Sequence, residues 1–532
     1  MNQVQHPWWK EEIIYQIYPR SFQDSNDDGT GDLQGILQRL EHVKSLGVNA
    51  IWISPIFESP MKDFGYDISD YRAIHPLFGT MEDFDALLHK VHQLGMKLIL
   101  DLVPNHTSDQ HPWFKESRAS RDNPKRDWYL WHDAREDGSP PNNWLSVFGG
   151  PAWTWDEATG QYYYHAFLKE QPDLNWRNPE VQEAIFEVMR YWFDKGIDGF
   201  RVDVMWHLIK DKLWRDNPVN PDYDPLKLEF RKLLPVYSTD QPEVHAIVEK
   251  MRTLADSYGD KLIIGEIYLP IERLVLYYGT DNQGAHLPFN FQLISLPWDA
   301  QQLAIAIDQY EAMLPEKGWP NWVLSNHDKK RIASRVGQQQ ARVAAMMLLT
   351  LRGTPTIYYG DEIGMMDVPV PESGIRDPQG LHKGARHLTR DPQRSPMQWN
   401  DETASAGFSK ATPWLPVAAN YKRVNVARQS QDDFSILTLY RRLIALRQRE
   451  PALKIGAYHP VYSDHQLLSY KRHHADTSFL IVLNLTHATA YFEMPENLKG
   501  RIELSTHPEL EGGIVSGTIS LGGDEGLLIR LE

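Results

Sequence analysis

Three acidic side chains stand at the ends of short apolar runs in this sequence. They are Asp203 in GFRVDV, Glu266 in KLIIGEI and Asp328 in WVLSNHD. The preceding residues are continuous in Val, Ile, Leu and Phe, as in a strand that is buried on both faces of a parallel sheet. A buried carboxylate is costly without a partner or a task, and catalytic groups of α/β barrels collect at the carboxyl ends of the strands. Three such acids are the set expected for cleaving a glycosidic bond.

The elements that position these acids alternate between strand-like runs and amphipathic helical segments. One helix is predicted over residues 181–193 and a last one over 434–449, after the eighth run. Eight strands with intervening helices predict an α/β fold, a closed (β/α)₈ TIM barrel. The predicted strands cover residues 13–19, 50–56, 97–103, 199–204, 261–267, 287–294, 322–328 and 354–362.

The same pattern divides the chain into segments. Residues 1–106 are the first part of the barrel and residues 175–450 the second, which carries a Pro- and Arg-rich insertion at about 366–425. Between them, residues 107–174 are rich in Trp, Pro, Asn and Asp and predict an inserted subdomain after strand 3. Residues 451–532 contain short alternating runs and predict a C-terminal antiparallel β domain.

Composition excludes several classes of partner. The 532 residues carry 55 Lys and Arg against 71 Asp and Glu, a formal charge of −16, which argues against nucleic acid and anionic membranes. There is no cysteine, and the longest apolar stretch, residues 343–351, is far below the roughly 20 residues of a membrane helix. The N-terminus, MNQVQHPWWKEE, has no recognisable secretory signal. We expect a cytoplasmic monomer or homodimer.

The strand-end motifs resemble those of a known family. DLVPNH, GFRVDV, GEI and NHD occur in the order of the four core motifs of the α-amylase superfamily, glycoside hydrolase family 13. YQIYPRSF, GYDISDY, NHTSDQHPWF, QPDLNW and RDPQRSPMQW are similar to the α-glucosidase and oligo-1,6-glucosidase branch, and the resemblance spans about residues 7–450. It implies a retaining, exo-acting enzyme that releases α-glucose from the non-reducing end of short α-glucosides.

The resemblance assigns roles to the three acids: Asp203 is the nucleophile, Glu266 the general acid/base and Asp328 the stabiliser of the transition state. Arg201, two residues before Asp203 on the same strand face, is placed to keep the nucleophile ionised. The apolar neighbours of Glu266 favour the neutral, proton-donating acid. The alternative interpretation is a buried ion-pair network with a structural role only.

The resemblance also implies a pocket for one glucose unit. Asp63 and Arg394 would clamp its hydroxyl groups, and Tyr66 would stack under its ring. A surface ion pair is the alternative for Asp63 and Arg394. His106 and His327 would bind hydroxyls as neutral imidazoles; a zinc site is the alternative, but no HxH or HExxH spacing supports it. The candidate substrate-binding residues are Asp63, Tyr66, His106, Phe167, Arg201, Val204, His327 and Arg394.

Linkage preference depends on Val204, beside the nucleophile. In the branch resembled here, Val at this place accompanies α-1,6 cleavage and Thr or Ala accompanies α-1,4 cleavage; the alternative is that Val204 merely continues the strand. NHDKKR departs from the commoner NHDQPR through Lys329 and Lys330. We expect mixed activity on maltose-type and isomaltose-type sugars, with sucrose as a further substrate and transglucosylation as a side reaction.

Two other functions compete with hydrolysis. A glucosyl-transferring isomerase of the trehalose synthase or sucrose isomerase type would use the same three acids, although the chain lacks the Arg-Leu-Asp-Arg loop of sucrose isomerases. A non-enzymatic transporter subunit would carry a membrane helix and lack part of the catalytic set.

A polar loop near the N-terminus predicts a metal site. Oxygen-bearing residues alternate along it, and a Gly provides the turn, which resembles the first half of a calcium loop. The twelfth position is Gly35 rather than Glu, so the loop is not an EF-hand. We expect a structural Ca²⁺, with Mg²⁺ as an alternative; a turn that caps the next helix is the other interpretation. The candidate ligands are Asp24, Asn26, Asp28, Thr30 and Asp32.

Overall fold

A computed structural model describes residues 6–382, 384–496 and 498–532. Its main sheet contains eight parallel strands in the order β6-β5-β4-β3-β2-β1-β8-β7, when the strands are numbered along the chain. A parallel bridge between Asn290 and Trp322 joins the two edges and closes the barrel. The predicted (β/α)₈ barrel is therefore confirmed. The strands are β1 Ile14–Ile17, β2 Ala50–Ile53, β3 Lys97–Leu102, β4 Gly199–Val202, β5 Leu262–Gly265, β6 Leu287–Pro288, β7 Asn321–Val323 and β8 Thr354–Tyr358.

The strands end earlier than the apolar runs predict. Strands β4 and β5 stop immediately before Asp203 and Glu266, and Asp328 lies five residues beyond the end of β7. The prediction of a strand over residues 287–294 is largely wrong, because a helix, Gln292–Ser295, occupies its second half. Pro288 has no N–H for a ladder, and the Asn290 carboxamide oxygen accepts the Gln292 N–H at 2.9 Å.

Long helices cover the outside of the barrel. Helix Pro179–Lys195 begins where the Asn178 side chain accepts the Glu180 N–H and ends at Gly196, whose φ of 107° is left-handed. The last helix begins at Ile436 rather than at residue 434, because Ser435 caps it. The remaining long helices are Leu33–Ser45, Met81–Gln93, Val244–Ser257, Ala300–Met313 and Ile332–Thr350, and the last helix is Ile436–Arg449.

Residues 107–174 leave the barrel after β3. They form helix Pro112–Ala119 and a three-stranded sheet of Trp131–His132, Trp153–Asp156 and Gln161–Tyr164. Aromatic side chains, among them Trp144 and Trp153, pack into a small core of their own. The segment returns to the barrel through a bridge between His106 and Asp173, so its base lies beside the end of β3.

The C-terminal segment is an antiparallel β domain. Among the described helices of the whole chain, none combines the length and apolar character that a bilayer crossing requires. The six-stranded sheet has the order Ala457–Ser463, Leu467–His474, Thr477–Asn484, Gly526–Leu531, Lys499–Ser505 and Ile514–Ser516, and a smaller sheet pairs Ala490–Glu493 with Thr518–Leu521.

Candidate active site

A single buried arginine gathers the acids of three neighbouring strands. Arg201 Nη1 lies 2.8 Å from an oxygen of Asp101 and 2.6 Å from an oxygen of Asp203, and its Nη2 lies 2.8 Å from Glu266. The parallel register places Arg201 opposite Asp101 on β3 and opposite Ile264 on β5. The predicted nucleophile and general acid therefore lie side by side at the carboxyl end of the barrel.

Val204 connects the backbone of this site to the predicted acid. Its N–H donates to an oxygen of Glu266 at 2.8 Å. Its φ of 37° is left-handed, an unfavourable conformation for a β-branched residue. The interpretation that Val204 merely continues the strand is therefore wrong: the chain turns sharply here, between Asp203 and the short helix Met205–His207.

The charge balance around Arg201 differs from the prediction. Burial raises the pKa of Asp203 well above its ordinary value, while Arg201 lowers it and the Glu266 carboxylate raises it again. Burial likewise raises the pKa of Asp101 to about 7, although Arg201 opposes this rise. Arg201 acts in the predicted direction but does not offset burial. With three carboxyl groups around one guanidinium, the cluster readily holds a proton.

Asp328 has the opposite balance. Arg390 Nη1 and Arg394 Nη2 both contact Asp328 Oδ1, at 3.1 and 2.9 Å, and His327 Nε2 lies 3.2 Å from its other oxygen. Burial raises the pKa of Asp328, but the Nε2–H of His327 and the two guanidinium groups outweigh it, so the net pKa lies well below its ordinary value. Since burial also lowers the pKa of His327 to about 3, the arginines supply the positive charge. Asp328 is ionised.

The histidines are neutral and hydrogen-bonded, as expected. Gln16 donates to His327 Nδ1 at 2.8 Å, so the ring proton lies on Nε2, which faces the Tyr66 hydroxyl and Asp328. Burial lowers the pKa of His106 to about 4. No cluster of three or more His, Cys, Asp or Glu suited to a metal occurs among the described residues.

Most of the predicted catalytic and substrate-binding residues line one cavity of about 330 Å³. This volume is near the lower end of the range for small-molecule pockets, about 300–1,000 Å³. Arg201, His327 and Arg394 do not line the cavity and lie behind its wall. The predicted residues that line it are Asp63, Tyr66, His106, Phe167, Asp203, Val204, Glu266 and Asp328.

Asp63 and Arg394 do not form the surface ion pair of the alternative interpretation, because both are buried and each has a different partner. Asp63 is bound by Arg390, with Nη2 2.9 Å from Oδ1, whereas Arg394 donates to Asp328 and to the carbonyl of His327. Arg390 is itself fixed by Asp377 at 2.7 Å and lines the cavity. Arg390 precedes the short helix Asp391–Arg394 and Arg394 is its last residue, so this turn sends the two side chains in different directions. Both arginines occur in the sequence RDPQR, and their positions in this motif do not indicate which of them binds Asp63.

Further residues outside the predicted set line the cavity. Most of them follow a predicted acid closely in sequence, and this adjacency is the signal that could have identified them; Phe230 and Arg231 carry no such signal. The Tyr268 ring stacks on Phe291 with centroids 4.1 Å apart, which gives the cavity a flat wall. These residues include Trp206, His207, Phe230, Arg231, Tyr268 and Lys329.

The candidate metal loop is closed by its own hydrogen bonds. Asp24 accepts the N–H groups of Asn26, Asp27 and Gly29 at 2.8–3.0 Å. Asp32 accepts the Gly35 N–H and caps helix Leu33–Ser45, so the capping interpretation holds for this residue. Thr30 donates its N–H to Asp28. The loop offers oxygen donors of the kind calcium prefers.

Comparison with known proteins places this geometry in a family. Residues 16–456 match the model of the α-amylase catalytic domain. An oligo-1,6-glucosidase of Halalkalibacterium halodurans is 41% identical over 546 residues, which cover 95% of this chain and 96% of that one. The chain belongs to the α-amylase superfamily, glycoside hydrolase family 13.

Two solved structures share the fold over nearly the whole chain. The α-glucosyl transfer enzyme XgtA is 40% identical, with a TM-score of 0.94 and coverage of 99% of this chain and 100% of that one. The trehalulose synthase MutB of Pseudomonas mesoacidophila MX-45 is 35% identical, with a TM-score of 0.92 and the same coverage. A probable α-glucosidase of Rhizobium meliloti is also 41% identical, over 92% of this chain and 91% of that one. Together with the oligo-1,6-glucosidase, this relative confirms the predicted α-glucosidase branch.

Proposed function

We propose that this protein is a retaining, exo-acting α-glucosidase that releases α-glucose from short α-glucosides. This proposal rests on one observation: Asp203 and Glu266 contact the two terminal nitrogens of Arg201, and both acids line a small cavity. Adjacent carboxyl groups favour the retaining mechanism, because an inverting enzyme needs about 6.5–9.5 Å between them for a water molecule. The similarity to an oligo-1,6-glucosidase supports the same activity.

In the first step, Glu266 donates a proton to the glycosidic oxygen while Asp203 attacks the anomeric carbon. The bond to the leaving group breaks, and a covalent β-glucosyl-enzyme forms on Asp203. Asp328, ionised beside two arginines, stabilises positive charge on the sugar ring in the transition state. In the second step, Glu266 takes a proton from water, whose oxygen replaces Asp203 and yields α-glucose. A sugar hydroxyl in place of water gives transglucosylation.

The Asp63–Arg390 pair supports the proposed exo action, because it places buried, mutually fixed charges in the cavity wall, where they can bind the hydroxyl groups of one sugar. A panel of maltose, isomaltose, sucrose, trehalose and longer maltodextrins, scored for glucose release, tests this proposal. We expect release from the disaccharides to exceed release from maltodextrins. Strong activity on soluble starch would contradict a pocket one glucose deep.

We propose that the enzyme cleaves both α-1,4 and α-1,6 linkages, and the variant Val204→Thr tests the part that Val204 plays in this specificity. Thr keeps the branched shape but replaces one methyl group of the cavity wall by a hydroxyl. We expect the ratio of kcat/KM for maltose to that for isomaltose to rise by up to about tenfold, the scale on which one methyl group discriminates in a pocket. The thermal unfolding of the variant, compared with that of wild type, controls for a change in backbone strain. If the ratio of the two kcat/KM values is unchanged, Val204 does not determine the linkage preference.

The alternative function is a glucosyl-transferring isomerase, which retains the leaving sugar for a second attack. The similarity to a trehalulose synthase and the aromatic wall of Tyr268 and Phe230 favour it. Incubation with sucrose distinguishes the two functions. A hydrolase releases glucose and fructose in equal amounts, whereas an isomerase yields a new disaccharide with little free sugar.

We also propose a structural Ca²⁺ in the loop of Asp24, Asn26, Asp28, Thr30 and Asp32, outside the chemistry. A chelator should lower the unfolding temperature by a few degrees, and added Ca²⁺ should restore it more fully than Mg²⁺. Asp28→Asn is the matched variant, because it keeps an oxygen for the Thr30 N–H while removing one charge. If chelation leaves wild type and variant equally stable, the loop is a capping turn only.

For the cellular setting, we propose a cytoplasmic monomer or homodimer that acts on small sugars. Size-exclusion chromatography with light scattering measures the assembly, and a tetramer or larger species would contradict it.

A further inference from the structure

Two cations at the cavity have no anionic partner within the described part of the chain. Lys329 and Arg231 both line the cavity, and neither side chain takes part in an ion pair or a side-chain hydrogen bond among the described residues. Lys329 Nζ lies 4.9 Å from the centre of the Tyr268 ring, and the Arg231 guanidinium lies 5.4 Å from the Phe230 ring. Lys329 is half-buried, whereas the Arg231 side chain is exposed.

The other arginine in the cavity wall, Arg390, differs from Lys329 and Arg231 in having several anionic partners. Arg390 contacts the carboxylates of Asp63, Asp328 and Asp377, so its charge is fully matched. The chain as a whole carries a formal charge of −16 and offers many acids for pairing. Burial lowers the pKa of Lys329, so this ammonium has lost water without gaining a contact partner. A partly desolvated charge of this kind is stabilised by an anion.

The position of the two cations identifies the part of a substrate that they face. In the function proposed above, glucose binds beside the paired Asp63 and Arg390 of the cavity wall. Tyr268, which Lys329 covers, stands two residues after Glu266, the acid proposed to protonate the leaving oxygen. Arg231 comes from a separate segment, the short helix Glu229–Lys232. The two charges therefore lie on the leaving-group side.

We propose, on the basis of the α-glucosidase function proposed above, that Lys329 and Arg231 bind an oxyanion on the leaving or accepting group of the substrate. The preferred substrates are then α-glucosides whose second unit carries a phosphate or a carboxylate. The sugar transferred remains neutral glucose, and the reaction at Asp203 and Glu266 is unchanged.

Matched substrate pairs test this proposal on the full-length protein. Maltose is compared with maltose 6-phosphate, phosphorylated on the reducing-end glucose, and maltitol is compared with maltobionate. The measured quantity is the ratio of kcat/KM for the anionic member to that for the neutral member. We expect wild type to favour the anion in at least one pair, by about tenfold at low ionic strength, and the preference to shrink with added salt. The pair that responds distinguishes phosphate from carboxylate.

Lys329→Gln and Arg231→Gln should each lower that ratio by roughly threefold, since each removes one of the two charge-assisted contacts behind the tenfold preference. Lys330→Gln is the control, because Lys330 is exposed and outside the cavity wall. Inhibition of wild type by glucose 6-phosphate, compared with glucose, gives a second measurement that needs no variant.

The outcomes separate two failures. If wild type cleaves maltose and maltitol but prefers neither anion, and glucose 6-phosphate inhibits no better than glucose, the anion site is wrong and the α-glucosidase proposal stands. If no member of either pair is cleaved, both proposals fall. A preference that survives in both Gln variants would overturn the assignment to Lys329 and Arg231.

Discussion

Asp203→Ala should abolish glucose release, with kcat on maltose reduced by about 10⁴-fold or more, the order expected when a covalent nucleophile is lost. The variant leaves an open space beside the anomeric carbon, where a small external anion fits. Added azide should then restore glucose transfer, and the product should be β-glucosyl azide, because azide attacks from the face that Asp203 occupies in wild type. Product configuration by NMR measures this directly.

Asp101→Ala is the control for this experiment. Asp101 contacts the same nitrogen of Arg201 at 2.8 Å but does not line the cavity. Its loss should also reduce activity, because it changes the charge around Arg201, yet azide should give no rescue. Rescue of Asp101→Ala, or formation of α-glucosyl azide by Asp203→Ala, would contradict the assignment of the nucleophile.

The second large effect is expected for Arg390→Gln. This change leaves the buried carboxylates of Asp63 and Asp377 without their cation, and breaking a buried pair costs about 3–5 kcal/mol. We expect a lower free energy of unfolding in urea. We also expect kcat/KM on maltose to fall by about 10²–10³-fold, because several kcal/mol of transition-state binding free energy are lost when the pocket loses its shape. Arg390→Lys should not restore activity, because an ammonium cannot bridge three carboxylates as a guanidinium does.

The same variant should change the pH profile. Burial raises the pKa of Asp63, and Arg390 lowers it; Arg390 also lowers the pKa of Asp328. Without Arg390 both pKa values rise, so the acid limb of kcat/KM should move to higher pH. Arg386→Gln is the matched control, because this exposed arginine pairs with Glu372 in the same insertion and such pairs contribute little. Equal losses in both variants would indicate a general defect of the insertion.

The parts predicted from sequence are those with a strong local pattern. Continuous apolar runs located the barrel strands, and the acids that follow them lie together at one end because parallel strands end at the same edge. Strand β6 was overestimated because Pro288 and Asn290 stop the ladder, a local effect stronger than the hydrophobic run. The direction of Arg390 and Arg394 could not be predicted, since a single helical turn in an insertion decides it.

The left-handed backbone at Val204 links two properties that are usually considered separately. The residue beside the nucleophile contributes its side chain to the cavity wall, while its N–H binds the carboxyl group that must give and take a proton. A substitution that changes the backbone at residue 204 would move that N–H and so change how the Glu266 carboxyl group is held. Substrate range and the position of the proton-transferring group are therefore coupled through one peptide group, and selection for a new linkage at this position also acts on proton transfer.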